Sequence, residues 1–480
     1  MPHFFCVHGH FYQPDRVDPF SNDTPIDTNV FMATRRKYTN WNELINAQCY
    51  APNAKLGNFG LISFDLVRPL AEWLCLHDTE TYHAILNSAT LVYQRDKVLP
   101  ALASSWDHVI LPLVNDVDLQ LQIAWGIRDF EVRFGCKPQG FWLPETAVSN
   151  RVLTVLAKYG IRMVILSSHQ AQEGVDTSKF YRVHLDNSLA IDVAFFNKEF
   201  SDRLSFDNAG MADADGFIKN IPRGDVAKDS GGFLLGATDG ERYGHHLDGG
   251  QQFLNDLMTK SAINHGYEVI PLTTMHMRAN VTDTISIVEM SSWSCLCGGL
   301  KRWIGDCNCS LDYTNGNARV DGGWKSFLFG AVSALSKELW NYSYNFFTKV
   351  LYNPVDACTD YVEVMLHQQT ESDFLAKHAF NHLNNNDIRK LFILLSMQRY
   401  RLASYTSCGT FFWQLDRPEP RIVINQAKKA LSFLGMINEQ TLMYRLEASF
   451  IDTLNKSVDY KSGLTGKDIY EESGHLYDAS

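Results

Sequence analysis

The chain has 480 residues, 45% hydrophobic and 20% charged, the balance of a folded protein with a large core in two or three structural units. A net charge of −11, from 43 basic and 54 acidic side chains with no long basic run, excludes nucleic acid as the expected partner. No apolar stretch approaches the ~20 residues of a membrane span, and the first residues lack the basic and apolar regions of a signal peptide, so no membrane partner and a cytoplasmic location are expected.

A first strand is expected at residues 3–8. It runs into His8-Gly9-His10-Phe11-Tyr12-Gln13-Pro14, a loop with two imidazoles and an amide. At a strand tip this composition suits the polar wall of a site; an ordinary surface loop is the other reading. Residues 15–57 are polar, without sustained periodicity, and read as an excursion over the site end. A strand at 61–64 and helical spacing at 66–76 and 83–92 follow. The run 109–113 predicts a third strand, and 117–134 an amphipathic helix stopped by Gly135.

The next stretch, Gln139-Gly140-Phe141-Trp142-Leu143-Pro144-Glu145-Thr146, is a short apolar strand ending on a carboxylate. Pro144 cannot donate to a central ladder, so the strand stops there. Ser149 and Asn150 then offer N-caps for a helix carrying Val152, Leu153, Val155, Leu156 and Tyr159. Strands are predicted at 163–166 and 189–196. Phe233-Leu234-Leu235-Gly236-Ala237-Thr238-Asp239 repeats the design of an apolar strand ending on an acid. A helix at 250–264 and a strand at 269–272 close the alternation. Strands alternating with helices predict an α/β fold, mainly parallel, of about seven units. From residue 324 long helical runs take over, at 327–347, 355–366, 374–383, 388–405 and 422–434. The expected division is a catalytic barrel at 1–285, a cysteine-containing connecting segment at 286–323, a helical domain at 324–453 and a loosely ordered polar tail at 454–480.

Glu145 and Asp239 are the pair to test. Cleaving a glycosidic bond takes one group that traps or stabilises a cationic sugar and one that protonates the leaving oxygen. The plainer reading of Asp239 is a cap for the helix after it. Trp142, Glu241, Tyr243, His245 and His246 nearby make that reading harder to hold for both acids.

His8-Gly9-His10 with Gln13-Pro14, Gly140-Phe141-Trp142-Leu143-Pro144-Glu145, Thr238-Asp239-Gly240-Glu241-Arg242-Tyr243-Gly244-His245-His246 and Glu289-Met290-Ser291-Ser292-Trp293-Ser294 resemble, in order, the motifs of glycoside hydrolase family fifty-seven. Tyr405-Thr406-Ser407-Cys408-Gly409 and the cysteines after Trp293 resemble a subgroup with a C-terminal region of unassigned function. The resemblance implies an incomplete (β/α)7-type barrel followed by a helical domain. It also implies retaining chemistry on α-linked glucans, by hydrolysis or by 4-α-glucanotransfer or branching; some members are α-galactosidases. Glu145 is implied as the nucleophile and Asp239 as the acid/base. His8, His10, Gln13, Trp142, Glu241, His246 and Trp293 are implied around an oligo- or polysaccharide, with no cofactor for catalysis. Two other readings are a metal-dependent polysaccharide deacetylase, using His8, His10, His245 and His246, and a catalytically inactive glycan-binding barrel.

Cys295-Leu296-Cys297 and Cys307-Asn308-Cys309 place four of the ten cysteines within fifteen residues. Four thiols without a secretion signal suit a structural tetrahedral zinc. Two local disulfides, or free thiols, are the other readings. The resembled subgroup more often has histidine where this chain has Cys297.

Overall fold

The computed structural model describes residues 3–221, 232–309, 311–312, 318–380 and 383–473. They fall into two compact units. The first joins the chain up to Gln13 with Pro25–Trp106 and Asp129–Ser294; the second joins Pro14–Thr24, Asp107–Arg128 and the chain from Cys295 onward.

The first unit is built on strands β1 (His3–Phe11), β2 (Ser63–Leu66), β3 (Ala101–Leu102), β4 (Gly140–Phe141), β5 (Met163–Ser167), β6 (Phe180–His184), β7 (Ala190–Phe196), β8 (Phe233–Asp239) and β9 (Tyr267–Val269). β1 pairs in parallel with β2 and with β8, β2 with β3, β4 with β5, and β5 with β7. The two ladders meet at Ala103, whose N–H donates to Gly140 O at 3.1 Å while Trp142 N–H donates to Ala103 O at 2.7 Å. On the opposite flank Asn197 N–H donates to Leu235 O at 2.8 Å, tying the end of β7 to β8. Among the described residues seven parallel strands therefore run in one cycle whose ladder is thin at two places, with β9 also parallel to the start of β1, an incomplete (β/α)7 barrel. Alternate strand residues such as Cys6, Leu102, Ile165, Ala194 and Leu235 are buried in one cluster, the period of two that strand geometry dictates. Helix Asn150–Lys158 begins where its sequence announces it, with Val152 N–H donating to Ser149 Oγ at 3.3 Å.

Several expectations are corrected. The apolar run 109–113 is not a strand: Leu111–Leu113 is a 3-10 turn built on Pro112, and β3 is the two-residue Ala101–Leu102. A proline within an apolar run removes a ladder donor, and so short a buried strand carries no periodicity to read. β6 is antiparallel to β7 and was not anticipated. The polar excursion 15–57 contains the helical segments Thr28–Ala33, Trp41–Ile45 and Ala51–Lys55. The last strand sits at Tyr267–Val269, before the expected 269–272, and Leu272–Arg278 is helical.

The second unit is helical. Its elements include Trp324–Val350, Pro354–Met365, Glu371–His378, Asn385–Ala403, Pro418–Met436 and Gln440–Leu454. The expected run 374–383 ends at His378; residues 381–382 lie outside the described residues. Arg401 and Asp118, both about 1% exposed, form a two-point pair: Nη1 donates to Oδ2 at 2.8 Å and Nη2 to Oδ1 at 2.6 Å. Ser336 Oγ accepts a second bond from Nη1 and Gln398 Oε1 one from Nε, at 2.7 Å each. The stretch read as a loose tail contains the helix Gly466–Glu472, with Ile469 and Tyr470 buried; residues 474–480 lie outside the described residues. Gly466, Ile469 and Tyr470, at i, i+3 and i+4, form its buried face despite the polar composition around them. Among the described residues no helix is long and apolar enough to cross a membrane.

Candidate active site

Parallel register builds the centre of the site. β1 lies between β2 and β8, and its His10 is level with Asp65 on one side and Asp239 on the other. In-register residues of adjacent parallel strands point to the same face, so an imidazole stands between two carboxylates at the carboxyl ends of the strands. Asp65 was not singled out from the sequence, yet it directly follows the run 61–64 that reads as a strand and lies one residue before the end of β2. That signal was available.

Asp65 is buried and serves two histidines. Its Oδ1 is 3.2 Å from His8 Nε2, and its Oδ2 is 2.9 Å from His10 Nδ1. Burial holds the His8 pKa below its ordinary range despite Asp65, so His8 is neutral and donates from Nε2. Its buried Nδ1 has no partner among the described residues. Burial also opposes charge on His10, but Asp65, Asp239 and Glu241 outweigh it and lift its pKa to about 9. Both rings stack on Trp142, with centroids 4.6 and 5.2 Å away and interplanar angles of 20° and 24°. A protonated imidazole over an indole face gains cation–π attraction. Trp142 in turn meets Trp293 edge-on at 5.1 Å.

Glu145 occupies a strained turn. Past Pro144 the backbone enters the left-handed region at Glu145 (φ 58°, ψ 21°) and again at Thr146 (φ 48°). For residues with a Cβ this costs roughly 1–2 kcal/mol each. The turn is held by Thr146 N–H to Leu143 O at 2.7 Å and by Gln170, which accepts from Thr146 Oγ1 and donates to Thr146 O, each at 2.8 Å. Trp293 closes it from outside, its N–H donating to Thr146 Oγ1 at 2.9 Å. Two side-chain donors then converge on one carboxylate oxygen: Trp293 Nε1 and Ser294 Oγ reach Glu145 Oε2 at 2.9 and 2.7 Å. Strain kept at such a position is the mark of a site whose geometry is over-determined.

Asp239 keeps access to solvent at its strand tip. Burial by the surrounding protein, with the charges of Glu145 and Asp65, still lifts its pKa to about 6 against the pull of His10. The next acid, Glu241, is buried and lifted to about 7, chiefly by burial and also by Asp239. Its Oε1 accepts from Tyr50 Oη at 2.6 Å and from Tyr12 N–H at 3.3 Å. The backbone between the two acids needs glycine: a Cβ on Gly240 would lie 2.3 Å from the Phe11 ring.

Of the other expected residues, Gln13 is buried and hydrogen-bonds Tyr50, so it supports Glu241 through that phenol. Tyr50 sits in the polar excursion and had no signal of its own in sequence. His246 is exposed and joins the cluster only through its backbone, N–H to Glu241 O at 3.0 Å. Its ring lies 4.9 Å from that of His245, which donates from Nδ1 to Gln48 Oε1 at 2.7 Å. His8, His10, His245 and His246 do not form a metal-binding set. Among the described residues the grouping with metal-compatible spacing is Cys295, Cys297, Cys307 and Cys309, in the second unit. There Cys295 and Cys307 have sulfurs 3.6 Å apart, and Cys297 and Cys309 3.3 Å apart.

The model of glycosyl hydrolase family 57 matches residues 26–288, and a domain of unknown function, DUF3536, matches 322–474. No curated protein matches the sequence. Among solved structures, an exo-type maltose-forming amylase from Pyrococcus sp. ST04 is similar with a TM-score of 0.77 at 14% identity, over 98% of this chain and 88% of that one. A branching enzyme from Pyrococcus horikoshii is similar with a TM-score of 0.62 at 14% identity, over 100% and 99%. A 4-alpha-glucanotransferase from Thermococcus litoralis gives 0.56 at 14% identity, over 90% and 60%.

Proposed function

Because the chain belongs to glycosyl hydrolase family 57, we propose that it cleaves α-linked glucans with retention of configuration, Glu145 acting as nucleophile and Asp239 as acid/base. The observation that carries this reading is the unequal treatment of two neighbouring acids. Glu145 receives two hydrogen bonds, both on Oε2, and Asp239 is lifted to about 6. Two donors fixed on one oxygen aim the other at a substrate, and a raised pKa favours a proton, which are the needs of a nucleophile and of a general acid. The similar structures described as an amylase, a branching enzyme and a 4-alpha-glucanotransferase support α-glucan as the substrate class.

In this reading Oε1 of Glu145, which takes no hydrogen bond among the described residues, attacks the anomeric carbon while Asp239 protonates the leaving oxygen. The resulting glycosyl ester is opened by water or by an acceptor hydroxyl, which Asp239, now a carboxylate, deprotonates. Protonated His10 offsets the charge on Asp239 as its proton leaves. Trp142 and Trp293 supply rings for sugar faces, and Glu241 a buried acceptor for hydroxyls.

The test is product analysis with malto-oligosaccharides and glycogen, alongside Glu145→Gln. Shorter products alone mean hydrolysis; products both shorter and longer mean transfer; the α-anomer must form first. Loss of turnover in a folded variant is expected. An unchanged rate in Glu145→Gln, or no product from any α-glucan, overturns the reading.

A further inference from the structure

The four-cysteine cluster lies outside the catalytic reading, and nothing in that reading uses it. We propose that Cys295, Cys297, Cys307 and Cys309 bind one Zn²⁺ tetrahedrally, as a structural site of the helical unit. Three observations carry this.

The first is geometric. All four sulfurs lie within 4.8 Å of one another. A tetrahedron with Zn–S bonds of about 2.3 Å has sulfurs about 3.8 Å apart. The close pairs, at 3.6 and 3.3 Å, each take one cysteine from either C-x-C arm, so the arms interlock around one point. Disulfides local to each arm would pair the cysteines differently. None of the four is in a disulfide, a bond that needs about 2.05 Å.

The second is local support for thiolate. Cys309 N–H donates to Cys307 Sγ at 3.5 Å, a contact that stabilises negative charge on sulfur. Gly298 (φ 72°), Gly299 (φ 61°) and Leu300 (φ 54°) turn the chain between the arms in left-handed steps, so the second arm returns to the first within a few residues.

The third is charge. Four thiolates around Zn²⁺ leave a net charge of about −2, which a buried site must balance. Lys325 is fully buried, and no carboxylate pairs with it among the described residues. Its Nζ donates to Arg302 O at 2.8 Å and Phe411 O at 3.2 Å, and lies 3.5 Å from the Trp413 ring centroid. Arg302, 7% exposed, lies over Phe411 and Trp413 with its Nε unpartnered. Lys325 is in electrostatic reach of Arg302, Cys307, Cys295 and Asp306, and Asp306 is already bound to Arg319. An unpaired buried cation is strongly destabilising. Burial and the Arg302 charge hold Lys325 well below its ordinary range, and the negative charge of a zinc–thiolate centre is what would favour its protonated form.

The proposal stands apart from the glycosidic reading, because metal content decides it. Elemental analysis of the full chain, purified without chelator, is expected to give about one zinc per chain. Cys297→Ser and Cys309→Ser are expected to lose at least nine-tenths of it, and the exposed Cys75→Ser none. Should the first two fail to fold, the unaltered chain still gives an answer: mercurial titration must release zinc, seen with a chromogenic chelator, in step with modification of four thiols. Zinc-free folded protein with reactive thiols, a mass deficit of paired hydrogens showing disulfides, or iron with visible charge-transfer absorption would each overturn it.

Discussion

The barrel unit and the helical unit both bury charge, and they do so in opposite ways. In the helical unit Arg401 and Asp118 neutralise each other, and Ser336 and Gln398 accept two further bonds from the guanidinium. In the barrel unit Asp65, Asp239 and Glu241 gather around His10, whose pKa they lift to about 9. Burial, with the neighbouring acids, lifts Asp239 to about 6 and Glu241 to about 7, so these two hold protons closer to neutral pH than an ordinary carboxyl does. A satisfied pair has no proton left to give, whereas a crowded set does. The contrast separates groups that hold the fold from groups that are poised for chemistry, and it assigns different outcomes to their removal.

The largest effect is expected at Asp239. Replacing a general acid lowers the rate by about 10²- to 10⁴-fold, so Asp239→Asn should lose activity on that scale. Its stability should move the other way. The folded pKa of about 6 lies above the ordinary carboxylate value, so the folded state holds an extra proton between the two and loses stability as pH rises through 6. Asparagine mimics the protonated form, and the melting-temperature gain over the unaltered chain should therefore widen from pH 4 to pH 7. In the proposed mechanism the same ionisation is expected to set the alkaline limb of kcat/KM near pH 6 in the unaltered chain. A variant that loses activity and stability together would count against the contrast.

Arg401 gives the opposite signature. Removing one partner of a buried, bonded pair costs about 3–5 kcal/mol, so Arg401→Leu should lower the melting temperature strongly. Asp118→Leu together with Arg401→Leu should recover most of the loss, because no charge is then left unpaired. Thermal unfolding of the two single variants and the double variant measures this directly. A double variant as unstable as the sum of the singles would remove the basis of the comparison.

The same physics explains how much the sequence disclosed. Glu145 and Asp239 were legible because an apolar run ending on an acid is a local pattern, and Ser149 because a cap lies next to the helix it starts. Asp65 obeyed the pattern, but its strand is four residues long and no ring follows it to draw attention. Tyr50, Gln170 and Ser294 act through partners 191, 24 and 149 residues away, and spacing carries no trace of such pairings. β3 was misplaced because two buried residues have no periodicity, while the apolar run that contains Pro112 has the composition of a strand. The cysteine spacing suggested ligands; only the fold showed that the two arms interlock.

Asp65 should have an intermediate effect. It touches no substrate in the proposed mechanism and acts through His8 and His10. A hydrogen bond to a charged group contributes roughly 1.5–3 kcal/mol, so Asp65→Asn should lower kcat/KM about 10- to 100-fold. A purely structural role would leave the histidines unmoved. The discriminating readout is the His10 titration by NMR, which should fall from about 9 once its principal counter-charge is gone. An unmoved titration with reduced activity would make Asp65 a packing residue.

The smallest effect is expected at Ser294, and it sharpens the contrast most. Ser294 Oγ and Trp293 Nε1 both hold Glu145 Oε2, so either donor alone keeps the carboxylate oriented. Losing one bond of about 0.5–1.5 kcal/mol gives Ser294→Ala roughly a 3- to 10-fold lower kcat. Trp293→Phe retains an aromatic ring and removes only the N–H, and should cost a similar factor. If the two donors act as a unit on one oxygen, the paired variant must lose more than the product of the single losses, because Oε2 then has neither partner and Glu145 is free to turn. A strictly multiplicative result would mean that the left-handed turn at Glu145 and Thr146, not the donors, sets the aim of the Glu145 carboxylate.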